Sequence, residues 1–385
     1  MQYDFDQIID RRGTNSVKWE HFPADVLPLW VADTDFAIEP AIIRRIQKRL
    51  EHPILGYSID SVELKETVQQ RMERLYNWKI DIESISLVPG IVSGFNFAER
   101  AICEAGDNVI FQVPAYPPFF EAPINNNLGS VLNPLVFNKD KNIYEIDFDD
   151  FEKKINPRTK MLLLCNPQNP TGRVFTPAEL TRLGEICLKH DLIICSDEIH
   201  SDIVYNGYRH TPIASLNKEL ENRSITFIAP SKTFNIPGLS CSVAIIPNPE
   251  IHKKYLKALN GFCSGVTCLS QEAGIAAYQE GAEWLSQMKI YLEGNRDFLL
   301  NFISREMPSI KTTEIQATFL AWLDCSQTGI PGDPQKFFEE NAKVGLNEGI
   351  PFCPDYEKFV RLNFGTPRKI LKEALERMAN SLRQL

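Results

Sequence analysis

Short apolar runs alternate with helix-like stretches from about residue 85 to residue 260. The runs, rich in β-branched and aliphatic residues, predict strands at 85–88, 108–113, 160–165, 192–196, 225–228 and 241–246. Between them, apolar residues recur at helical spacing in 92–104, 177–190 and 249–260. Strands that alternate with helices are typical of a largely parallel sheet with crossover helices. The sequence therefore predicts an α/β fold for this region.

The pattern changes beyond residue 281. A long helical pattern at 284–305 is followed by strand-like runs at 318–324 and 359–363 and a closing helical pattern at 368–385. This order predicts a smaller α+β domain at 282–385, after a large α/β domain at 53–281. The N-terminal segment 1–52 has isolated aromatics and prolines, and we expect it to pack with the small domain or across a subunit interface.

Composition and charge favour small-molecule chemistry. The 385 residues include 41 basic and 50 acidic side chains, and the net charge of -9 opposes binding to nucleic acid or to an anionic membrane. The first fifteen residues contain no signal-like apolar region, and no apolar run is long enough to span a bilayer, so we expect a cytoplasmic protein. The nine cysteines include no Cys-x-x-Cys pair, which argues against a disulfide framework or a zinc site.

A lysine follows the predicted strand 225–228. The segment 229–238, APSKTFNIPG, ends in a Pro-Gly turn, and this predicts that Lys232 lies on a loop at the carboxyl end of that strand. Ligands bind at this edge of open α/β sheets. With the hydroxyls of Ser231 and Thr233 available to a phosphate, the lysine suits a Schiff base to an aldehyde cofactor. A solvated surface charge is the alternative interpretation.

Two further predicted strands end in polar residues. Strand 160–165 leads into NPQNPTG, where the amide of Asn169 could donate to a phenolate or carboxylate oxygen, or simply belong to a turn. Strand 192–196 leads to Asp197, a carboxylate that would keep a pyridine nitrogen protonated. His200 is either a structural histidine or a cofactor contact. A metal site is not expected, because no second histidine lies at ligand spacing.

Three other positions are candidates for binding. The turn at Gly90 stands between a predicted strand and a predicted helix, where backbone N–H groups can hold a phosphate. Tyr116 lies among prolines and either packs in the core or lies flat against an aromatic ring. Arg361 interrupts a strand pattern and is either a surface residue or a bidentate clamp for a substrate carboxylate.

Together and in this order, the motifs resemble the fold-type I pyridoxal-phosphate enzymes of the class I/II aminotransferase family, over nearly the whole chain. The resemblance implies pyridoxal 5′-phosphate as cofactor, held by Lys232 as a Schiff base. Lys232 would also shuttle the proton. Asp197 would pair with the pyridine nitrogen, Asn169 would contact the phenolic oxygen, and Tyr116 would stack on the ring.

The same resemblance implies residues for the phosphate and the substrate. The backbone of Gly90, Ile91 and Val92 and the hydroxyl of Ser231 would bind the phosphate. Arg361 would take the substrate carboxylate. Tyr57, in the sequence Gly56-Tyr57-Ser58, resembles a tyrosine that reaches the phosphate of the neighbouring subunit. A homodimer with shared active sites is therefore expected.

Within the family, several segments resemble the cystathionine β-lyase-like branch, the cysteine–sulfur lyases: 28–36, 116–120, 197–200, 231–235 and 361–365. Three positions depart from the pattern. Ser240 stands where typical aminotransferases have a phosphate-binding arginine, which favours the lyase branch. Ala229 replaces a frequent serine, at a cost of about 1 kcal/mol for one lost hydrogen bond. Thr34 stands where the branch usually has methionine.

The resemblance implies a carbon–sulfur β-lyase that cleaves L-cystathionine, or related cysteine S-conjugates, to a thiol, pyruvate and ammonia by α,β-elimination. Two alternatives use the same fold. The first is an aminotransferase, which would need a keto acid acceptor. The second is a pyridoxal-phosphate-binding regulatory protein that acts through a partner.

Overall fold

The central strands form where apolar runs are buried on both faces. In the computed structural model, which describes residues 2–385, every residue of Ile85–Val88, Ile193–Asp197, Ser224–Ile228 and Ser242–Ile245 is buried. Continuous buried runs are typical of a sheet that is covered by helices on both faces.

The elements of residues 2–385 follow in chain order. The helices are α1 (Val17–Glu20), α2 (Pro40–Leu50), α3 (Val62–Tyr76), α4 (Ile91–Ile102), α5 (Pro118–Asn125), α6 (Phe148–Lys154), α7 (Pro177–Lys189), α8 (Lys218–Asn222), α9 (Pro230–Thr233), α10 (Pro249–Leu259), α11 (Cys268–Glu280), α12 (Ala282–Glu306), α13 (Pro334–Phe337) and α14 (Arg368–Leu382). The strands are β1 (Leu27–Pro28), β2 (Ile85–Val88), β3 (Asn108–Val113), β4 (Gly129–Pro134), β5 (Val136–Asn138), β6 (Ile143–Glu145), β7 (Thr159–Cys165), β8 (Ile193–Asp197), β9 (Ser224–Ile228), β10 (Ser242–Ile245), β11 (Lys311–Thr312), β12 (Leu320–Asp324), β13 (Val344–Gly345), β14 (Asn347–Glu348) and β15 (Phe359–Asn363).

A seven-stranded sheet forms the centre of the protein, in the order β2-β10-β9-β8-β7-β3-β4. Strands β4, β3, β7, β8 and β9 run parallel to one another. Strand β10 runs antiparallel to both of its neighbours, β9 and β2. The prediction of a largely parallel α/β sheet is confirmed, and β10 is its antiparallel exception.

A smaller antiparallel sheet, in the order β11-β12-β15-β14, lies in the C-terminal part of the chain. The helices α12 and α14 of this part pack against each other. These elements confirm the predicted α+β character. The domain boundaries after residues 52 and 281 stay predictions.

The N-terminal segment packs against the C-terminal part of the chain. Strand β1 pairs in parallel with β13, and Leu29 accepts a backbone hydrogen bond of 2.9 Å from Asn363. The buried ammonium of Lys18 pairs with the buried carboxylate of Asp35 at 2.7 Å, and Arg11 adds a second pair to that carboxylate at 2.8 Å. The segment is thus held by both backbone pairing and paired charges.

Several predicted boundaries were wrong by one to three residues. The strand predicted at 318–324 begins at Leu320, because Thr318 has a φ of 71°, which a strand does not accommodate. The closing helix ends at Leu382 rather than at residue 385. Lys232 lies on the one-turn helix α9 and not on a loop, since Pro230 at its first position favours a helical turn.

Helix length and apolarity decide whether a helix could cross a membrane. The longest helix is α12, with 25 residues. No helix within residues 2–385 is long and apolar enough to cross a membrane. A cytoplasmic location stays a prediction.

Helix α4 lies close against β9 because Gly94 has no side chain. A Cβ atom at this position would lie 2.6 Å from the ring of Phe227, which is fully buried. Well-packed interiors accommodate such an atom only by moving the ring or the helix. The glycine therefore fixes the distance of α4 from the sheet.

We expect Gly94→Ala to reduce the free energy of unfolding by about 1–3 kcal/mol, because overpacking outweighs the gain in helix propensity. Thermal unfolding followed by circular dichroism measures this. The matched control is Gly294→Ala in α12, where a Cβ would meet only the flexible tip of Arg368, 3.0 Å away. Equal melting temperatures for the two variants would contradict the packing argument.

Candidate active site

The carboxyl ends of neighbouring strands surround a cavity of about 290 Å³. Such an edge gathers residues that are distant in sequence, because parallel strands end on the same side of a sheet. The cavity is lined by Val31, Ala32, Pro89, Gly90, Ile91, Val92, Ser93, Tyr116, Cys165, Asn169, Asp197, Ile199, His200, Ser231, Lys232, Pro237, Ser240, Cys241, Ser242 and Arg361.

The residues predicted from the sequence meet in this cavity, with two exceptions, Tyr57 and Thr233. Thr233 does not line the cavity, and its hydroxyl donates to Asp202 at 2.9 Å instead. Ten of them line it: Gly90, Ile91, Val92, Tyr116, Asn169, Asp197, His200, Ser231, Lys232 and Arg361. Tyr57 does not line it, and its side chain is fully exposed. The roles assigned to these residues stay predictions.

Asp197 ends strand β8 and is buried, with 4% of its surface exposed. Burial raises the pKa of its carboxyl group to about 7, and the negative charge of Glu198 adds to the effect. The backbone N–H of Ile199, which donates to Asp197 Oδ1 at 3.0 Å, and the cation of Lys232 act in the opposite direction. A cation placed beside this carboxyl group would favour its ionised form.

Lys232 is half-buried, and its amine has one hydrogen-bond partner within residues 2–385. Its Nζ donates to the backbone oxygen of Ala32 at 2.6 Å. Burial lowers the pKa of this amine to about 8, and the nearby Arg361 cation lowers it further. The carboxylates of Asp33 and Asp197 oppose this shift. Near neutral pH the amine is still mostly protonated, but a larger fraction is unprotonated, and therefore nucleophilic, than in an ordinary lysine.

His200 is buried and its Nδ1 atom has no hydrogen-bond partner in residues 2–385. Burial lowers the pKa of the imidazole to about 3, and the cations of Lys232 and Arg361 contribute. The ring is therefore neutral at physiological pH. An orphaned polar atom in a buried cavity is costly, which favours a role in contacting a ligand over a purely structural one.

Arg361 supplies positive charge to the cavity. It extends from β15, where its guanidinium donates to Asn169 Oδ1 at 3.0 Å and to Asn347 Oδ1 at 2.6 Å. Its Nε has no partner among the described residues. Burial lowers the pKa of this group to about 10, so it stays charged at neutral pH. The guanidinium also donates to the backbone oxygen of Trp30 at 3.3 Å. A buried guanidinium held by neutral acceptors and no carboxylate can receive an anionic ligand.

A second group of lining residues is suited to a phosphate. Helix α4 begins after Gly90, which has a φ of 97°, and the first N–H groups of a helix have no intrahelical partner. Hydroxyl groups add further donors from Ser93, Ser231, Ser240 and Ser242. The oxygens of an anion at this point would therefore meet neutral donors and a helix N-terminus.

Sequence reasoning missed several members of the site. The sequence pattern indicates no role for Ala32, Asn235 or Asn347. Asn235 clamps the segment that contains Ala32, because its amide donates to the oxygens of Thr34 and Phe36 at 3.0 Å each. The only sequence signal for this segment is the motif at 28–36. Contacts across about 200 residues of chain leave no local pattern.

This chain is similar to known proteins in both sequence and structure. Residues 25–378 match the family described as Aminotransferase class I and II. The cystathionine beta-lyase PatB of Bacillus subtilis is 39% identical over 98% of this chain and 100% of its own. The structure of cystalysin from Treponema denticola, which contains pyridoxal 5′-phosphate, superposes with a TM-score of 0.95 at 34% identity and covers 100% of both chains. A PLP-bound C-S lyase from Staphylococcus hominis gives a TM-score of 0.93 at 35% identity over 99% of each chain.

The lowered pKa of Lys232 makes its reactivity testable without any ligand. We expect its carbamylation by cyanate, a reagent small enough for the cavity, to rise with pH and to level off above about pH 8. An ordinary lysine, with a pKa of about 10.4, continues to gain reactivity to higher pH. Peptide mass spectrometry of the cofactor-free protein measures the carbamylation of Lys232 and of exposed Lys253, which serves as the internal control. Parallel pH profiles for the two lysines would show that burial does not shift the pKa of Lys232.

Proposed function

This chain belongs to the family of class I and II aminotransferases, and on that premise we propose that it is a pyridoxal-phosphate-dependent carbon–sulfur β-lyase. The substrate is L-cystathionine or a related cysteine S-conjugate, and the products are a thiol, pyruvate and ammonia. The relatives named cystathionine beta-lyase and C-S lyase, aligned over nearly the whole chain, support this choice over transamination.

The residues of the cavity fit pyridoxal 5′-phosphate. The buried carboxyl group of Asp197 suits a protonated pyridine nitrogen, and the unpartnered Nδ1 of His200 suits a polar atom of the ring. The start of α4 and the four serine hydroxyls suit the phosphate group. When bound, the cofactor supplies an electron-accepting ring that stabilises negative charge at the substrate's α-carbon.

Lys232 is the proposed general base. Its amine is partly unprotonated at neutral pH, which is the state required to take the proton from the α-carbon. Asp197, once ionised, would pair with the protonated pyridine nitrogen of the bound cofactor. The thiolate then leaves the β-carbon with the electron pair of the carbon–sulfur bond, and hydrolysis of the remaining three-carbon unit gives pyruvate and ammonia.

Arg361 and Asn169 orient the substrate in this proposal. The guanidinium of Arg361 receives the α-carboxylate, and its hydrogen bonds to Asn169 and Asn347 fix the direction of its remaining donors. Tyr116, which lines the same cavity, stacks on the cofactor ring. The observation that carries the proposal is the gathering of Lys232 with the buried side chains of Asp197 and Arg361 in one cavity.

We expect the purified holoenzyme to release pyruvate and free thiol in equal amounts from L-cystathionine without a keto acid. Lys232→Ala should abolish turnover, because no other lysine lines the cavity, whereas the exposed control Lys253→Ala should retain it. A coupled pyruvate assay and a thiol reagent measure the two products. Absence of both products, with a shift to the pyridoxamine absorbance that a keto acid reverses, would identify an aminotransferase instead.

We also propose a homodimer with shared active sites. The segment from residue 53 to residue 62 leaves large apolar side chains exposed, including Ile54, Leu55, Ile59 and Val62. Tyr57 on the same segment is fully exposed and absent from the cavity of its own chain. Apolar surface of this kind is typical of an interface between proteins. A second copy of the chain would cover it and would bring Tyr57 to the phosphate of the partner.

Mixing two impaired variants tests the shared site. We expect Lys232→Ala to be inactive and Tyr57→Ala to bind the cofactor weakly. After the subunits are mixed and allowed to exchange, half of the dimers are hybrids, and each hybrid has one site with both residues intact. Activity should then rise toward about a quarter of the wild-type value. Activity equal to the mean of the separate variants, with exchange shown by differently tagged subunits, would contradict shared sites.

A further inference from the structure

A second cavity, of about 420 Å³, lies apart from the proposed catalytic centre. Its walls come from the C-terminal half of α3, the beginning of α12 and the segment that follows β8. None of its lining residues belongs to the cavity that contains Lys232. The proposed function therefore leaves this cavity unexplained.

Positive charge dominates the walls of this second cavity. Four cationic side chains line it, Arg71, Arg74, Arg209 and Lys289, against a single carboxylate, Asp202. This excess contrasts with the net charge of -9 for the whole chain. Since like charges repel, such a group is stabilised by a bound anion.

Arg71 is the buried cation of the group, and most of its donors are unused. Its Nη2 donates to Asp202, and its guanidinium lies over the ring of Tyr278, 4.6 Å from the centroid. Its surface is only 7% exposed. A guanidinium has five N–H donors, and no other acceptor for Arg71 is found among residues 2–385. The remaining donors are available to a ligand.

Lys289 approaches the same cavity from α12 and forms no hydrogen bond or ion pair within residues 2–385. The side chain is half-buried, and burial lowers the pKa of its amine. The charges of Asp202 and Glu293 oppose this shift, but neither carboxylate forms an ion pair with Lys289, so the desolvation of the ammonium is only partly compensated. An anion that contacts both Arg71 and Lys289 would compensate for this cost.

Hydroxyl groups complete the donor set. Ser201 and Tyr76 line the cavity, and burial raises the pKa of the Tyr76 phenol, so that it keeps its proton. His210 also lines it, but its Nε2 is paired with Glu198 at 2.7 Å and is not free for a ligand. An arginine, a lysine and neutral hydroxyls are the groups that bind carboxylates and phosphates.

We propose that this cavity binds a small oxyanion of the carboxylate or phosphate type, held by Arg71 and Lys289. The site is separate from the proposed substrate site and does not depend on the lyase assignment. It is connected to Lys232 through one carboxylate. Asp202 contacts Arg71 with one oxygen and accepts a hydrogen bond of 2.9 Å from Thr233, the residue after Lys232, with the other. A bound anion competes with Asp202 for Arg71 and so acts on the turn that carries Lys232.

The test is calorimetric titration of the holoenzyme, in a buffer free of oxyanions, with inorganic phosphate and separately with acetate. Bound cofactor keeps phosphate out of the cofactor site. The variant is Lys289→Gln, since Lys289 has no partner whose loss would disturb folding. The matched control is Arg305→Gln, an exposed cation on the same helix that forms no ion pair within residues 2–385. It lies 16 residues away, roughly 24 Å along the helix axis.

We expect saturable binding of at least one probe, weakened roughly tenfold by Lys289→Gln and unchanged by Arg305→Gln. The probe that binds more tightly identifies the ligand as phosphate-like or carboxylate-like. The proposal is overturned if neither probe binds saturably, or if the wild type and both variants bind equally. It is also overturned if the two variants weaken binding to the same extent, because that result reflects general surface charge.

Discussion

The removal of water from ionisable side chains is the constraint on which the site depends. Burial lowers the pKa of Lys232 to about 8 and raises that of Asp197 to about 7, so both groups are shifted toward their neutral forms. The same cause keeps the imidazole of His200 neutral. A ligand with complementary charge can restore the ionised form of the carboxylate, and so the binding of cofactor and the charge state of the cavity are coupled.

This water-poor cavity requires walls from three distant parts of the chain. The sheet contributes the strand ends, and β15 of the smaller sheet contributes Arg361. The N-terminal segment supplies the third wall through Ala32. It is held by the buried Lys18–Asp35 pair and by the hydrogen bonds of Asn235, which lies three residues after Lys232. The turn that carries the reactive amine and the segment that covers it are therefore attached to each other.

The cavity offers two kinds of anion-binding groups, one positively charged and one neutral. Arg361 offers a charged guanidinium, which suits a carboxylate. The start of α4 and the serine hydroxyls, including that of Ser240, offer neutral donors. A cofactor phosphate would thus rely on the helix N-terminus and hydrogen bonds. The same groups could serve elimination or transamination, and the distinction between them comes from the relatives.

The sequence by itself determined the alternation of strands and helices and the polar residues at the strand ends, because periodicity and turn residues are local signals. The positions of Asn169, Asp197 and Lys232 followed from those strands. Only the tertiary structure decided that β10 runs antiparallel, that Ala32 accepts from Lys232, and that Arg71 and Lys289 share a second cavity. Such contacts join residues as much as 218 positions apart in the chain, as for Arg71 and Lys289, and no local pattern in the sequence records them.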